Sequence, residues 1–293
     1  MSTHAHNQPV DGPPGDFLAR MVASSTQRWE EARAAEPFED VWDRALDAPA
    51  PKALSLGDHG AFDIIAECKL RSPAEGALSQ AGAGDGAQTL VRQAQAYAQG
   101  GACAISVLTE PTAFDGHIDH LRAVAQAVDA PVMCKDFLVA DYQVVQARAA
   151  GASGVLLIVR ALDDDDLFEM TDLALDLGMF ALIEAFDAAD LARLSRMLIT
   201  RGRDLVPGTL LVGVNCRNLA DLSIDPERFG QLRDAIPTGR PAVAESGLAD
   251  AQDASRVARL GYDVALVGSA LMRATDPAGA LAGMLRAGRE ARA

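Results

Sequence analysis

Eight short apolar or β-branched runs recur along the chain, at Ile64–Cys68, Ala104–Leu108, Val132–Cys134, Val155–Val159, Ala181–Ile183, Leu210–Val214, Ala242–Ala244 and Val264–Val267. Between them lie Ala/Leu/Arg-rich amphipathic stretches, among them Leu90–Gln99, Asp141–Ala150, Leu167–Leu177, Leu191–Ile199 and Ala251–Leu260. Several stop at a glycine, Gly100, Gly151, Gly178 or Gly261, the residue that relieves a left-handed helix C-cap. Strand alternating with helix eight times is the pattern of a closed parallel (β/α)8 barrel, the TIM-barrel architecture. An open doubly wound sheet alternates in the same way, but it offers no reason for the count to stop at eight.

Ahead of the barrel, Phe17, Leu18, Met21, Val22 and Trp29 recur at near-helical spacing between Asp16 and Arg33, and a weaker helical pattern follows over Phe38–Leu46. These form a helical extension over about 16–48. Met1–Gly15 is rich in Pro, Gly, His and Asn and reads as a disordered tail in which His4 and His6 are solvated. A length of 293 residues with 49% hydrophobic content fits one domain over 16–293. The Gly/Ala-rich segment Glu75–Gln88 follows the first strand and is placed to act as a lid over the catalytic face.

A net charge of -15 argues against a nucleic-acid surface, which needs Lys/Arg-rich faces. An anionic ligand must therefore be held by local geometry. Cys68, Cys103, Cys134 and Cys216 sit in or at the ends of apolar runs with no metal-ligand spacing, as buried thiols of a reducing compartment do. No apolar run approaches the ~20 residues that cross a bilayer, so a cytoplasmic location without membrane contact is expected. The acidic run Asp163–Asp166 opens a helix, where N-capping and the helix dipole explain it without a metal. His117 and His120 read as surface residues, and no metal site is expected.

Reactive groups of a β/α barrel gather at the C-terminal ends of its strands. Here those ends carry Glu67 and Lys69 after the first run, Lys135 after the third, Glu184 after the fifth and Asn215 and Arg217 after the sixth, with Glu245 and Ser246 after the seventh and Gly268 and Ser269 after the eighth. Alternation puts Glu67 and Lys69 on one side of their strand and Cys68 on the other. Bracing the barrel top would need matched ion pairs, whereas two lysines, an arginine and three glutamates share one mouth. Ser246-Gly247 and Gly268-Ser269 let backbone N–H groups approach an oxyanion, and Arg217 adds a charge-assisted contact, which together make a phosphate cradle.

The stretches Ile64-Ile65-Ala66-Glu67-Cys68-Lys69 with Ser72-Pro73, Ser106-Val107-Leu108-Thr109-Glu110, Cys134-Lys135-Asp136-Phe137, Leu182-Ile183-Glu184, Gly213-Val214-Asn215-Cys216-Arg217-Asn218-Leu219, Ala244-Glu245-Ser246-Gly247 and Val267-Gly268-Ser269-Ala270-Leu271-Met272-Arg273 together resemble indole-3-glycerol phosphate synthase of tryptophan biosynthesis. The likeness runs in register from about Ile64 to Leu281. It implies a carboxy-lyase that converts 1-(2-carboxyphenylamino)-1-deoxyribulose 5-phosphate to indole-3-glycerol phosphate with loss of carbon dioxide and water and with no cofactor. By the same resemblance Lys135 is the acid for ring closure and Glu184 a proton acceptor. Lys69 binds the anthranilate carboxylate and serves the dehydration, and Glu67, Asn215 and Glu245 orient these groups. Arg217, Ser246, Gly247, Gly268 and Ser269 take the phosphate, while Ser72, Pro73, Phe114, Phe137, Leu156, Ile158, Leu219 and Leu266 line the pocket.

The sequence departs from the family at Ala185-Phe186 after Glu184, at the acid Glu75 where a lysine is common, and over the poorly matching region up to Ala61. That helical region serves the anthranilate end, so a paralogue acting on a modified anthranilate is one alternative. Phosphoribosylanthranilate isomerase, a sister barrel, relies on a Cys–Asp pair, and Cys68 has the wrong parity for it. A non-catalytic barrel in a complex with a partner enzyme of the pathway is the third reading; its mark would be a missing catalytic group, and none is missing.

Overall fold

The structure is a computed structural model that describes residues 17–57, 61–72, 76–77, 86–201, 209–219 and 221–293. The expected tail Met1–Gly15, Pro73 and residues 75 and 78–85 of the expected lid lie outside the described residues. Eight parallel strands close into a barrel: β1 (Asp63–Cys68), β2 (Ala104–Leu108), β3 (Val132–Lys135), β4 (Gly154–Ile158), β5 (Phe180–Ala185), β6 (Leu210–Asn215), β7 (Ala242–Glu245) and β8 (Val264–Val267). Closure is made by β1, which pairs with β2 on one side (Glu67 opposite Ser106) and with β8 on the other (Ala66 opposite Val267). Each predicted run falls within a residue or two of its strand. Gly76–Ala77 pairs antiparallel with Arg71–Ser72, and Gly86–Gln99 is already helix, so the end of the predicted lid is the start of that helix.

Strand alternation sorts the side chains into two cores. Ile64, Ala66, Cys68, Ile105, Val107, Val155 and Leu157 face outward and pack against the surrounding helices. Ile65, Ala104, Met133, Leu156, Leu182, Leu211, Val243 and Leu266 fill the interior. Two residues further along the same parity stand Glu67, Lys135, Glu184, Glu245 and Gly268, with Asn215 four beyond Leu211. The period of two that builds the inner core thus delivers the polar groups to its upper end. The last helix, Pro277–Glu290, belongs to no stretch singled out from periodicity above; it closes the lower side, where Arg289 meets Asp63 at 2.9 Å. Asp163 caps the helix Asp164–Asp176 by accepting from the Asp166 N–H at 2.8 Å. His117 is exposed, but His120 is half-buried beside Gly86, which corrects the reading of both as surface residues.

Two helices precede the barrel, α1 (Phe17–Ala35) and α2 (Phe38–Asp47). Val41 and Ala45 of α2 pack on Tyr142 and Val145 of the helix Asp141–Ala149. Phe17 and Met21 of α1 join the interior core at the barrel mouth. Arg28 of α1 makes a two-pronged ion pair with Asp136, just past β3, at 2.8 and 3.1 Å. Thr109 Oγ1 and the Phe137 N–H also donate to that carboxylate, each at 2.8 Å. Asp136 is 4% exposed, so its charge depends on these donors.

Removing one partner of a buried pair strands the other charge, so Arg28→Ala should lower unfolding free energy by about 3 kcal/mol. Arg44→Ala, which breaks an exposed pair with Glu36, should cost less than about 1 kcal/mol. Urea unfolding of the two variants checks the contrast; equal losses would show that the Arg28 pair does not anchor α1.

Candidate active site

Every residue singled out above for catalysis or binding, Pro73 excepted, lines one cavity of about 260 Å³ at the C-terminal ends of the strands. At its floor Lys69 Nζ donates to Glu67 Oε1 at 2.7 Å, and Lys135 Nζ lies 3.7 Å from the other oxygen of Glu67. Across the mouth Asn215 Nδ2 donates to Glu184 Oε2 at 3.1 Å. Glu245 is 1% exposed, and neither carboxylate oxygen has a hydrogen-bond donor.

The electrostatics follow from this packing. Burial disfavours the Glu67 carboxylate, but Lys69, Lys135 and Arg217 outweigh it and hold its pKa below the usual range. Burial likewise works against the Lys135 ammonium, and Glu67, Glu184 and Glu245 more than compensate, so it stays protonated above the ordinary lysine value. For Glu245 the balance falls the other way: burial and then the negative charge of Glu184 push its carboxyl well above the usual range, beyond what Lys135 returns. The four cysteines are free thiols. Burial pushes Cys134 up to about 12 and Cys216 to about 11, which leaves both unreactive.

At the other end of the cavity the backbone is unusual. Ser246 and Gly247 both adopt left-handed conformations, φ 69° and 72°, which a serine adopts only when its surroundings demand it. A side chain at 247 would meet Cys216 Sγ at 2.8 Å and Ile224 at 2.9 Å. The next helix starts only at Ala251, capped by Asp250, so this turn and not a helix end faces the cavity. Arg217 is held by its own N–H to Asn215 Oδ1 (2.9 Å) and by Nη1 to the Leu222 carbonyl (2.9 Å). Gly268 precedes the short helix Ser269–Arg273, and a side chain there would overlap Glu67 Oε1 and stand 3.1 Å from the Glu67 Cβ. Gly268 therefore makes room for the Glu67 carboxylate.

The family model described as "Indole-3-glycerol phosphate synthase" matches residues 18–284. A relative of that name from Nocardioides sp. is 48% identical over 233 residues, 80% of this chain and 82% of its own length. One from Mycobacterium sp. (strain KMS) is 38% identical over 280 residues, 95% and 93% of the two chains. The chain belongs to the indole-3-glycerol phosphate synthase family. Among solved structures, 3-hexulose-6-phosphate synthase from Salmonella typhimurium superposes with a TM-score of 0.59 at 16% identity, covering 77% of this chain and 98% of that one. Likeness at that identity speaks for the barrel alone.

The match to the indole-3-glycerol phosphate synthase family begins at residue 18, so it takes in α1 and α2 and extends the resemblance beyond the Ile64–Leu281 region. Sequence reasoning missed several residues of the cavity, notably Phe17, Asp136, Leu222, Ile224 and Arg273. Phe17 reads in sequence as one apolar position of a helix. In the fold it stands edge-on to Phe114 and Phe137, with ring centroids 6.5 and 5.9 Å away, and completes an aromatic wall. Asp136 and Arg273 lay within quoted motifs and could have been found there. Among the described residues no three His, Cys, Asp or Glu side chains are grouped to hold a metal, and no helix is long and apolar enough to cross a membrane.

A carboxyl whose pKa is raised by folding binds its proton more tightly in the folded state, so its contribution to stability is lost as pH rises through that folded value. Glutamine mimics the neutral carboxyl and does not titrate. Glu245→Gln should therefore match the wild type below the ordinary carboxyl pKa and become the more stable protein as the pH rises above it. Urea unfolding at several pH values reads this directly, and a variant that loses ground to the wild type on the alkaline side would refute a protonated Glu245.

Proposed function

We propose that this protein is an indole-3-glycerol phosphate synthase: it closes the pyrrole ring of 1-(2-carboxyphenylamino)-1-deoxyribulose 5-phosphate, releasing carbon dioxide and water. The observation that carries the reading is Lys135 held charged by buried glutamates between an aromatic wall and a left-handed Ser246-Gly247 turn. Attack of the aromatic ring carbon on the ketone makes an alkoxide, which needs a proton donor. Lys135 supplies it. Lys69, fixed by Glu67, engages the substrate carboxylate and then serves loss of the hydroxyl, while Glu184, oriented by Asn215, accepts the proton that the nitrogen-bound methylene gives up as that hydroxyl leaves. Phe114, Phe137, Leu156, Ile158, Leu219 and Leu266 hold the aromatic ring, and Arg217 with the Ser246-Gly247 and Gly268-Ser269 backbone holds the phosphate. Bonds made and broken are all between substrate atoms and protons, so no cofactor is required.

The same reading treats residues 16–293 as one domain, supported by the Arg28–Asp136 pair, and the tail as dispensable. A cytoplasmic location suits four unpaired thiols. The ligand partner is the small phosphorylated substrate, with neither nucleic acid nor membrane involved; a pathway enzyme as a further partner is left to co-purification.

Adding the substrate and following indole absorbance tests the activity, and failure of the wild type to turn over would favour a paralogue or a non-catalytic barrel. In that assay Lys135→Ala and Lys135→Arg should both bind substrate yet lose at least ~10²-fold in kcat, since arginine is a poor proton donor and removal of a general acid costs ~10²–10⁴. Near-normal kcat in Lys135→Ala would remove it from the acid role. Gly268→Ala should raise KM through the phosphate and also lower kcat through the displaced Glu67 carboxylate. An effect on KM alone would separate the cradle from the carboxylate.

A further inference from the structure

Gly213 lies inside the regular strand β6, where glycine weakens a sheet and its conformational freedom serves no purpose: its φ is not among the positive ones. The reason for it lies in its neighbours. In register, Gly213 stands opposite Glu184 of β5, and two residues further on Asn215 stands opposite Glu245 of β7. Strand β6 thus runs between the two glutamates, and all of these residues share the interior parity. A side chain at 213 would overlap Glu245 Oε1 outright and stand 3.0 Å from its Cδ. The Glu245 carboxyl therefore lies directly on the bare backbone of Gly213.

We propose that Gly213 is a positioning residue: its missing side chain is the notch through which Glu245 reaches across β6 to share a proton with Glu184. Several observations bear on this besides the clash. Glu245 is fully enclosed and has no donor for either oxygen, an arrangement that costs heavily for an ion and little for an acid that itself donates. Glu184 takes an N–H from Asn215 on one oxygen, and a neutral Glu245 supplies the second donor. The same burial and the same neighbour raise the pKa of Glu245. In the reaction proposed above, on which the catalytic consequence rests, this bond orients Glu184 toward the methylene proton lost in the dehydration.

The substitution that tests it is mild for the fold, because the atoms nearest to the new methyl are side-chain atoms, the Glu245 carboxyl and Leu182 Cδ1 at 3.2 Å. Gly213→Ala should retain the wild-type circular dichroism and KM while losing ~10²-fold in kcat, the scale of a 1 Å misplacement. The alkaline limb of its kcat–pH profile should move to lower pH, since a displaced carboxyl gives up its proton sooner. Adding Glu245→Asp, one methylene shorter, withdraws the carboxyl from the introduced methyl. The double variant should recover about tenfold over Gly213→Ala, a coupling expected between residues in contact, although Glu245→Asp alone is impaired. Wild-type-like kcat and pH profile in Gly213→Ala, or losses that multiply in the double variant, would overturn the proposal. Infrared spectra of the substrate-free protein at neutral pH provide a readout independent of turnover. A protonated-carboxyl band should be present in the wild type, absent in Glu245→Gln and weakened or shifted in Gly213→Ala; its absence from the wild type would refute the shared proton even if the enzyme is active. An inactive wild type that shows the band would instead retire the catalytic reading and leave the notch standing.

Discussion

The structure turns on mutual compensation among charges largely withdrawn from water. Lys69, Lys135, Glu67, Glu184 and Glu245 occupy the upper end of a barrel interior whose lower layers are apolar. Any one of them alone would be neutralised or excluded by the desolvation cost. Together Lys69 and Lys135 face Glu67 and Glu184, with Arg217 adding to the field at Glu67, while burial and Glu184 raise the pKa of Glu245. This compensation explains how Lys135 keeps its charge in a largely buried site. The same crowding explains why bare backbone is needed at Gly213 and Gly268: in each case a glutamate carboxyl group occupies the space that a side chain would fill.

The N-terminal extension is bound into the same arrangement from outside. Arg28 clamps Asp136, the residue after Lys135, so the strand that carries Lys135 is tied to a helix that precedes the barrel by sequence but reaches its mouth in space. Phe17 at the start of that helix completes the aromatic wall. Loosening α1 would therefore affect the position of Lys135 and the aromatic wall together, through two separate contacts.

A chain of net charge -15 that binds an anion has to confine its positive potential. Lys69, Lys135, Arg217 and Arg273 all face one cavity, and the left-handed Ser246-Gly247 turn offers backbone to the same space. The surplus acid elsewhere is solvated or spent locally, as where Asp163 caps its helix and Asp187 and Asp190 hold Arg160. Net charge governs solubility here, and local geometry governs binding.

The barrel, its strand limits, the parity of Glu67 and Lys69, and the place of Lys135, Glu184, Asn215 and Glu245 at strand ends were legible in the sequence, because a period of two and a periodic helix between strands are local properties of the chain. Gly247 and Gly268 were legible as small residues at strand ends, though the contact of Gly268 with the Glu67 side chain was not. What the tertiary structure decided are the relations between residues far apart in sequence. Arg28 meets Asp136 across 108 positions, Phe17 joins Phe114 and Phe137, and Gly213 makes way for Glu245 on the next strand. Closure of the barrel alone fixes which side chains cross it and meet, and no pattern read along the chain records how far a carboxyl on one strand reaches over its neighbour.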